Sequence, residues 1–211
     1  MKLNLFFISV VVGYMFWGTL SAMACTGITL KSQNGTAVVA RTIEWGGSNL
    51  NSQYVIVPRG YSEQSFTPDG QNGMVFIARY GYVGLAVEQK EFIAEGINEA
   101  GLSAGLFYFP HYGEYEDYDK KVADSSISDF QLVSWILGRC TTLEEVKEAV
   151  ANVHIINIDS RASTVHWRFA DQTGRQLVLE IIGKETHFYE NNLGVLTNSP
   201  GFEWHLTNLN N

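Results

Sequence analysis

The chain has 211 residues, of which 45% are hydrophobic and 17% charged, a composition that excludes a disordered segment or a coiled coil. Its formal net charge of −8 lacks the basic surplus that duplex nucleic acid requires, so we expect no nucleic-acid partner. Two cysteines are too few for a disulfide scaffold or a four-cysteine zinc site.

The first 24 residues have the pattern of an export signal. Lys2 precedes an apolar run over residues 5–20, and Ser21-Ala22-Met23-Ala24 provides a small-residue cleavage site. The run is short for a membrane span and no stop-transfer pattern follows it. We therefore expect cleavage after Ala24, no stable membrane insertion, and a periplasmic or secreted domain over residues 25–211.

Cleavage at this position would make Cys25 the N-terminal residue, carrying both a thiol and a free α-amine. An α-amine has a reference pKa of about 7.7–8.0, so it can act as a base near neutral pH. The sequence thus predicts a nucleophile and its general base on one residue. Two alternatives remain: lipid attachment at Cys25, for which Ala22-Met23-Ala24 is a poor lipobox, and a disulfide with Cys140.

Seven strands are predicted between residues 26 and 109. Asn34-Gly35 and the segment 98–101 are turn signals between apolar runs, so each predicts a hairpin. The first hairpin returns Arg41 to the neighbourhood of Cys25. The predicted strands cover residues 26–30, 36–42, 53–58, 75–80, 82–87, 92–97 and 102–109.

Two helices and further strands follow. Ser128-Asp129 opens a helix that Gly138 ends, and Thr142-Leu143-Glu144-Glu145 is a capping box for a second helix reaching about Asn152. Two more hairpins are predicted, joining strands 164–170 to 176–182 and 186–190 to 193–197, the second through Asn191-Asn192. Strands arranged in blocks around a helix pair are typical of an α+β fold with antiparallel sheets.

Five segments together resemble the choloylglycine hydrolase family, N-terminal-nucleophile (Ntn) hydrolases that include bile salt hydrolases and penicillin V acylases. They are Cys25-Thr26-Gly27, the segment 40–45, Pro58-Arg59-Gly60, the segment 96–102 and the segment 196–205. Their order and spacing extend through almost all of residues 25–211. The resemblance implies a four-layer αββα sandwich with antiparallel sheets.

The resemblance also implies an activity. It is hydrolysis of a linear amide bond, in a conjugated bile salt or a penicillin V-type amide, through an acyl-thioester and without a metal or organic cofactor. The expected partner is thus a small-molecule amide. The sequence is compatible with a homo-oligomer and does not predict one.

The resemblance assigns the nucleophile and its charged neighbours. Cys25 corresponds to the nucleophile and Arg41 to an arginine beside it, where a guanidinium favours the thiolate. Glu44 stands where many members have aspartate. A carboxylate there would hold the α-amine and orient Arg41, with one methylene more than the aspartate.

The resemblance also assigns two oxyanion donors. Asn198 corresponds to an asparagine whose side-chain amide donates to the developing oxyanion. The second donor is a backbone N–H at Phe107 or Tyr108, where many members carry asparagine. His205, in the same motif as Asn198, is expected to be structural.

The resembling family continues well beyond Asn211, with further strands, more of the second helical layer and another active-site arginine. The domain over residues 25–211 is therefore expected to be partial, with apolar faces uncovered. The alternative function is an inactive or truncated exported remnant, or a lipoprotein anchored through Cys25.

Overall fold

The structure is a computed structural model that describes residues 25–44, 49–159 and 164–209. The predicted export signal, residues 1–24, lies outside the described residues. The strands, in chain order, are β1 (Cys25–Lys31), β2 (Ala37–Ile43), β3 (Gln53–Val57), β4 (Ser62–Gln64), β5 (Val75–Ile77), β6 (Tyr82–Ala86), β7 (Ile93–Asn98), β8 (Ser103–Tyr108), β9 (Ser126–Ser128), β10 (His154–Ile156), β11 (Val165–Ala170), β12 (Gln176–Ile182), β13 (Glu185–Glu190) and β14 (Val195–Thr197). The α-helices are α1 (Leu132–Arg139), α2 (Leu143–Val150) and α3 (Phe202–Leu209), with 3₁₀ turns at Lys120–Ser125 and Asp129–Gln131.

Two antiparallel sheets form the centre of the fold. The large sheet has seven strands in the order β13-β12-β11-β8-β7-β6-β3, and the small sheet has three in the order β14-β1-β2. Outside them lie two short pairs, the antiparallel β4-β5 and the parallel β9-β10. The predicted α+β class with antiparallel sheets is therefore confirmed.

The large sheet buries apolar side chains on both of its faces. Because side chains alternate along a strand, Trp167 and Phe169 of β11 pack in the cluster that contains the apolar residues of α1 and α2. On the opposite face, Phe107 and Val178 pack with Leu196 of β14 and Phe202 of α3. The layers thus follow the order helix, sheet, sheet.

A buried asparagine joins the β7–β8 hairpin to the end of α1. The Asn98 amide nitrogen donates to the carbonyl oxygens of Leu137 at 2.9 Å and Cys140 at 2.7 Å. Its side-chain oxygen accepts the N–H groups of Ala100 and Leu102 at 3.1 and 3.0 Å. The turn predicted at residues 98–101 is confirmed, and the same side chain fixes the hairpin against the helical layer.

The predicted end of the first helix, Leu137, is wrong by two residues. Gly138 lies inside α1, which continues to Arg139. The Gly138 carbonyl accepts the backbone N–H groups of Arg79 and Tyr80 at 2.7 and 3.2 Å. Its Cα also lies against Ala78, where a Cβ would come within 3.2 Å of the Ala78 backbone. The glycine therefore allows a close approach between the helix and its neighbour.

The second helix begins as predicted. Thr142 is its N-cap, accepting the Glu145 N–H at 3.1 Å, and the Glu145 carboxylate accepts the Thr141 N–H at 2.6 Å. The helix ends at Val150, short of the predicted Asn152.

The predicted hairpin at Asn191-Asn192 is wrong. β13 pairs with β12 in the large sheet, whereas β14 pairs with β1 in the small sheet. The Asn191 side chain closes the turn, because its oxygen accepts the N–H groups of Leu193 and Gly194 at 3.1 and 3.0 Å. This turn carries the chain from one sheet to the other.

Part of the large sheet's face toward the small sheet is exposed. Beyond β2, Tyr54 is 92% exposed and Ile56 80%, and their neighbours Val83 and Ile97 are also exposed. They line a groove of about 760 Å³ whose opposite wall includes Val39 of β2. Within the described part of the chain, no helix is long and apolar enough to span a bilayer.

Two buried carboxyl groups predict how stability depends on pH. Burial raises the pKa of Glu63 and of Asp129 to about 7. Reference values are about 4, so the folded state binds more protons than the unfolded state between about pH 4 and pH 7. The stability that these groups contribute is present at low pH and is lost as pH rises through about 7.

We therefore expect Glu63→Gln to reduce the fall in unfolding free energy between about pH 5 and about pH 8, measured by urea titration. The substitution keeps the oxygen that accepts the Gln131 amide N–H at 2.6 Å. Glu185→Gln, at an exposed carboxylate, is the control and should leave the pH profile unchanged. Equal profiles for Glu63→Gln and the unsubstituted protein would contradict the assignment.

Candidate active site

The β1–β2 hairpin places Cys25 and Arg41 on the same face of the small sheet. Cys25 pairs with Ile43, and Gly27 pairs with Arg41. Residues two apart on a strand share a face, as do residues directly opposite one another, so all four point toward the large sheet. Cys25 is only 7% exposed. The expectation that the hairpin returns Arg41 to the neighbourhood of Cys25 is confirmed.

Arg41 reaches across the space between the sheets. Its Nη1 donates to the carbonyl oxygens of Ala94 at 3.0 Å and Leu106 at 2.5 Å, and lies 3.6 Å from Glu95 Oε2. The guanidinium carbon is 4.3 Å from the centroid of the Phe107 ring. Four contacts from the large sheet thus fix a cation that belongs to the small sheet.

Glu95 and Arg168 form an ion pair over a glycine. Glu95 and Arg168 both pair with Gly105, from opposite sides, and Arg168 Nη2 donates to Glu95 Oε1 at 3.0 Å. A Cβ on Gly105 would overlap the Glu95 carboxylate. A Cβ on Gly27, in the facing sheet, would overlap the Arg168 guanidinium and the Phe107 ring. The two glycines therefore make room for this pair.

The electrostatics of this cluster follow from its burial. The side chain of Arg168 is 1% exposed, that of Arg41 6% and that of Glu95 20%. Burial raises the pKa of Glu95, opposed by the two guanidinium groups, and burial lowers the pKa of Arg168, opposed by Glu95. With two guanidinium groups and one carboxylate, the cluster has a positive surplus on the face that carries Cys25.

Asn198 reaches Cys25 from the other flanking strand. Thr26 pairs with Thr197 in antiparallel register, so the next position along each strand brings Cys25 beside Asn198. The Asn198 side-chain oxygen accepts the Tyr108 backbone N–H at 3.1 Å. Of the two backbone positions predicted, Tyr108 directs its N–H to Asn198, whereas Phe107 supplies the ring beneath Arg41.

Glu44 and His205 occupy different surroundings. Glu44 is exposed and, by strand alternation, points away from the face that carries Arg41. Among the described residues, the carboxylate beside Arg41 is Glu95, which was not predicted from the sequence. His205 lies on α3, half-buried, with Nε2 3.3 Å from the Asn198 carbonyl oxygen.

The disulfide alternative is contradicted. Both cysteines are free, and they lie in different core clusters on opposite faces of the large sheet. Burial raises the pKa of Cys140 to about 12, consistent with an inert thiol. Within the described ranges, no group of three or more His, Cys, Asp or Glu side chains is arranged to hold a metal ion.

Comparison with known proteins identifies the family. The sequence model of the linear amide C-N hydrolases, choloylglycine hydrolase family, matches residues 25–211. The chain belongs to this family. The four-layer Ntn-hydrolase sandwich predicted from the motifs is therefore its fold, and the described layers are part of that sandwich.

Several curated relatives carry names of enzymes. The chain is 31% identical over 194 residues to a bile salt hydrolase/transferase from Clostridium perfringens, covering 88% of this chain and 56% of that protein. It is 23% identical over 203 residues to a penicillin V acylase from Pectobacterium atrosepticum, covering 90% of this chain and 53% of that protein. The chain thus spans a little more than half the length of these relatives.

Solved structures agree with the fold. A cysteine-to-alanine mutant of the conjugated bile acid hydrolase from Clostridium perfringens is similar with a TM-score of 0.74 and 30% identity, over 88% of this chain and 56% of that one. Penicillin V acylase from Agrobacterium tumefaciens has the same TM-score at 24% identity, over 87% of this chain and 55% of that one. The second likeness concerns the fold alone.

The Glu95–Arg168 pair predicts non-additive substitutions. Glu95→Gln leaves two buried guanidinium groups without their carboxylate, so we expect a loss of about 3–5 kcal/mol in unfolding free energy. Arg168→Met leaves Glu95 beside Arg41. Adding Arg168→Met to Glu95→Gln should recover part of the loss, in a double-mutant cycle measured by urea denaturation.

The exposed ion pair Arg59–Glu99, whose atoms lie 2.6 Å apart, is the matched control. Arg59→Met and Glu99→Gln should couple by no more than about 1 kcal/mol. A strictly additive Glu95–Arg168 cycle would show that the buried charges do not depend on one another.

Proposed function

We propose that this chain carries the nucleophile and the oxyanion donors of a cysteine Ntn amidohydrolase. The observation that supports this most is the convergence of four distant segments. Cys25 is flanked by Arg41 of β2 on one side and by Asn198, after β14, on the other. The Tyr108 N–H comes from the facing sheet to the Asn198 side chain. A nucleophile, a cation and two donors are the parts that acyl transfer requires.

The first step forms a thioester. After cleavage behind Ala24, the α-amine of Cys25 takes the thiol proton and the sulfur attacks the substrate's amide carbonyl carbon. The Arg41–Glu95–Arg168 cluster, with its positive surplus, lies on the same face as the attacking sulfur. The amine then gives its proton to the leaving nitrogen, and the carbon–nitrogen bond breaks.

The oxyanion is held by Asn198 and the Tyr108 N–H. In the described arrangement the Asn198 side-chain oxygen, rather than its nitrogen, faces that N–H. For both groups to donate to a substrate oxygen, the Asn198 amide turns so that its NH₂ faces the oxygen beside the Tyr108 N–H. Such tightening of donor geometry on substrate binding is common in hydrolases.

The second step releases the acid. The same α-amine takes a proton from water, whose oxygen attacks the thioester carbonyl, and the proton returns to the sulfur as the carbon–sulfur bond breaks. Every proton is carried by one residue, so the mechanism needs no histidine, metal or organic cofactor.

The substrate is proposed to be a linear amide with a large apolar acyl group. The names of the relatives support two classes, conjugated bile salts and penicillin V-type amides. Export to the periplasm or the medium, signalled by residues 1–24, would give the enzyme access to either class.

The test is amide hydrolysis by the exported protein on glycine- and taurine-conjugated bile salts and on penicillin V. We expect Cys25→Ser to lose about 10³-fold or more in kcat, because the hydroxyl is a far weaker nucleophile than the thiolate. Cys140→Ala, at the buried thiol of the helical layer, is the control and should retain activity. Full activity of Cys25→Ser would overturn the mechanism.

The intact mass of the exported protein separates the remaining alternatives. We expect the mass of a chain that begins at Cys25 with an unmodified α-amine. A mass raised by a diacylglycerol group would instead indicate the lipoprotein, and a chain that begins at another residue would remove the proposed base. A correctly processed chain that hydrolyses no amide in the panel would indicate the inactive remnant.

A further inference from the structure

A second buried ion pair lies next to the Ntn site. His166 of β11 stands opposite Glu180 of β12, on the face of the large sheet that the small sheet covers. Both side chains are fully buried, and His166 Nδ1 lies 2.9 Å from Glu180 Oε1. The proposed chemistry uses neither residue.

The partners of the pair determine where its protons lie. His166 Nε2 is 2.9 Å from the Thr197 carbonyl oxygen, which can only accept, so this nitrogen carries a hydrogen. Glu180 Oε1 also accepts the Phe202 backbone N–H at 2.9 Å. A carboxylate oxygen can accept two N–H groups, and with the proton of the pair on Nδ1 both contacts to Oε1 are N–H donations. In that arrangement His166 is an imidazolium and Glu180 a carboxylate.

These bonds hold the segment that carries Asn198. Thr197 is the last residue of β14 and Phe202 the first of α3, so residues 198–201 are fixed at both ends by one ion pair. Inside the segment, the Ser199 hydroxyl donates to the Pro110 carbonyl at 2.8 Å. The orientation of Asn198 toward the Tyr108 N–H therefore depends on where the pair holds Thr197.

The surroundings fix the orientation of the imidazole ring and include other charged groups. The Phe109 ring is stacked on His166 with centroids 4.3 Å apart and planes 6° apart, which sets the direction of both ring nitrogens. Arg168 lies two residues along β11 and pairs with Glu95, which also lies 3.6 Å from Arg41. The other titratable groups near the pair are Cys25 of β1, His187 and Tyr189 of β13, and Glu203 and His205 of α3.

We propose that His166 and Glu180 are positioning residues, an imidazolium–carboxylate pair that retains one proton and holds Asn198 in register with Cys25 and the Tyr108 N–H. The pair acts through the Thr197 carbonyl and the Phe202 N–H and does not touch the reacting atoms. Its catalytic consequence rests on the proposed function, whereas its protonation does not.

The protonation is tested by nitrogen-15 NMR of the full chain with labelled histidine. We expect both ring nitrogens of His166 to carry hydrogen from about pH 6 to about pH 8. In Glu180→Gln the side-chain NH₂ can donate to Nδ1, so we expect a neutral ring with hydrogen on Nε2 alone. Glu203→Gln, at a neighbouring carboxylate, is the control and should leave the His166 signals unchanged.

A bare ring nitrogen in the unsubstituted protein between these pH values would overturn the pair. That spectrum requires no variant, so it tests the protonation of the pair even if Glu180→Gln does not fold. It also needs no activity, so failure of the amide assay would refute the proposed function and leave this result standing.

The catalytic consequence is tested by kinetics of Glu180→Gln. We expect kcat to fall about 10- to 100-fold with KM nearly unchanged, because a displaced Asn198 weakens a bond made to the oxyanion rather than to the bound substrate. Glu203→Gln should keep both constants. An unchanged kcat in a Glu180→Gln protein whose His166 has become neutral would show that the pair does not position Asn198.

Discussion

The close approach of the two sheets at Gly27 and Gly105 is the constraint on which the site depends. Neither position has room for a Cβ, because the atoms of Arg168, Phe107 and Glu95 already occupy the space. At these glycines the sheets therefore meet around a charged cluster, whereas apolar side chains such as Val178 and Leu196 pack between the sheets nearby. Any side chain at these positions would separate the layers and move Cys25 away from the donors of the facing sheet.

The strand β11 links the large sheet to both neighbours of the nucleophile. His166 and Arg168 are the β11 side chains that point toward the small sheet. Arg168 binds Glu95, which lies 3.6 Å from Arg41 of β2, and His166 faces the Thr197 carbonyl of β14. Because β1 lies between β2 and β14, each strand that flanks Cys25 is connected to β11 through one buried ion pair.

Local sequence patterns predicted most of the strands, but they did not predict the charged residues that are buried between the two sheets. Turn residues such as Asn34-Gly35 and Asn98 act within a few residues, so the sequence indicates their hairpins directly. The alternation Val165-His166-Trp167-Arg168 is that of a strand with one solvated face, yet a second sheet covers that face. Asn191 correctly indicated a turn, but a turn residue does not show whether the two strands that it connects pair with each other.

The carboxylate beside Arg41 was not predicted for the same reason: local patterns do not show which strands lie across from one another. Glu44 was the candidate because it stands where many members of the family have aspartate, but strand alternation directs it to the exposed side. Glu95 is far away in sequence and reaches Arg41 only because β7 lies across from β2 in the assembled layers. One signal was present: Gly105 and Glu95 stand opposite each other across the predicted hairpin, and a glycine there leaves space for a buried side chain.

On the face of the large sheet that points toward the small sheet, charged side chains are buried and large apolar side chains are exposed. This is the reverse of the usual distribution of polarity. Beneath the small sheet lie His166, Arg168 and Glu180, whereas Tyr54 and Ile56 beyond β2 are exposed. Burying ions costs desolvation energy that pairing only partly recovers, so this interface is a poor source of stability compared with the apolar layer beneath the helices. Its contribution is directional: an ion pair tolerates one arrangement of its partners, whereas apolar surfaces tolerate many. The arrangement it selects is the one in which Arg41 and Asn198 flank Cys25.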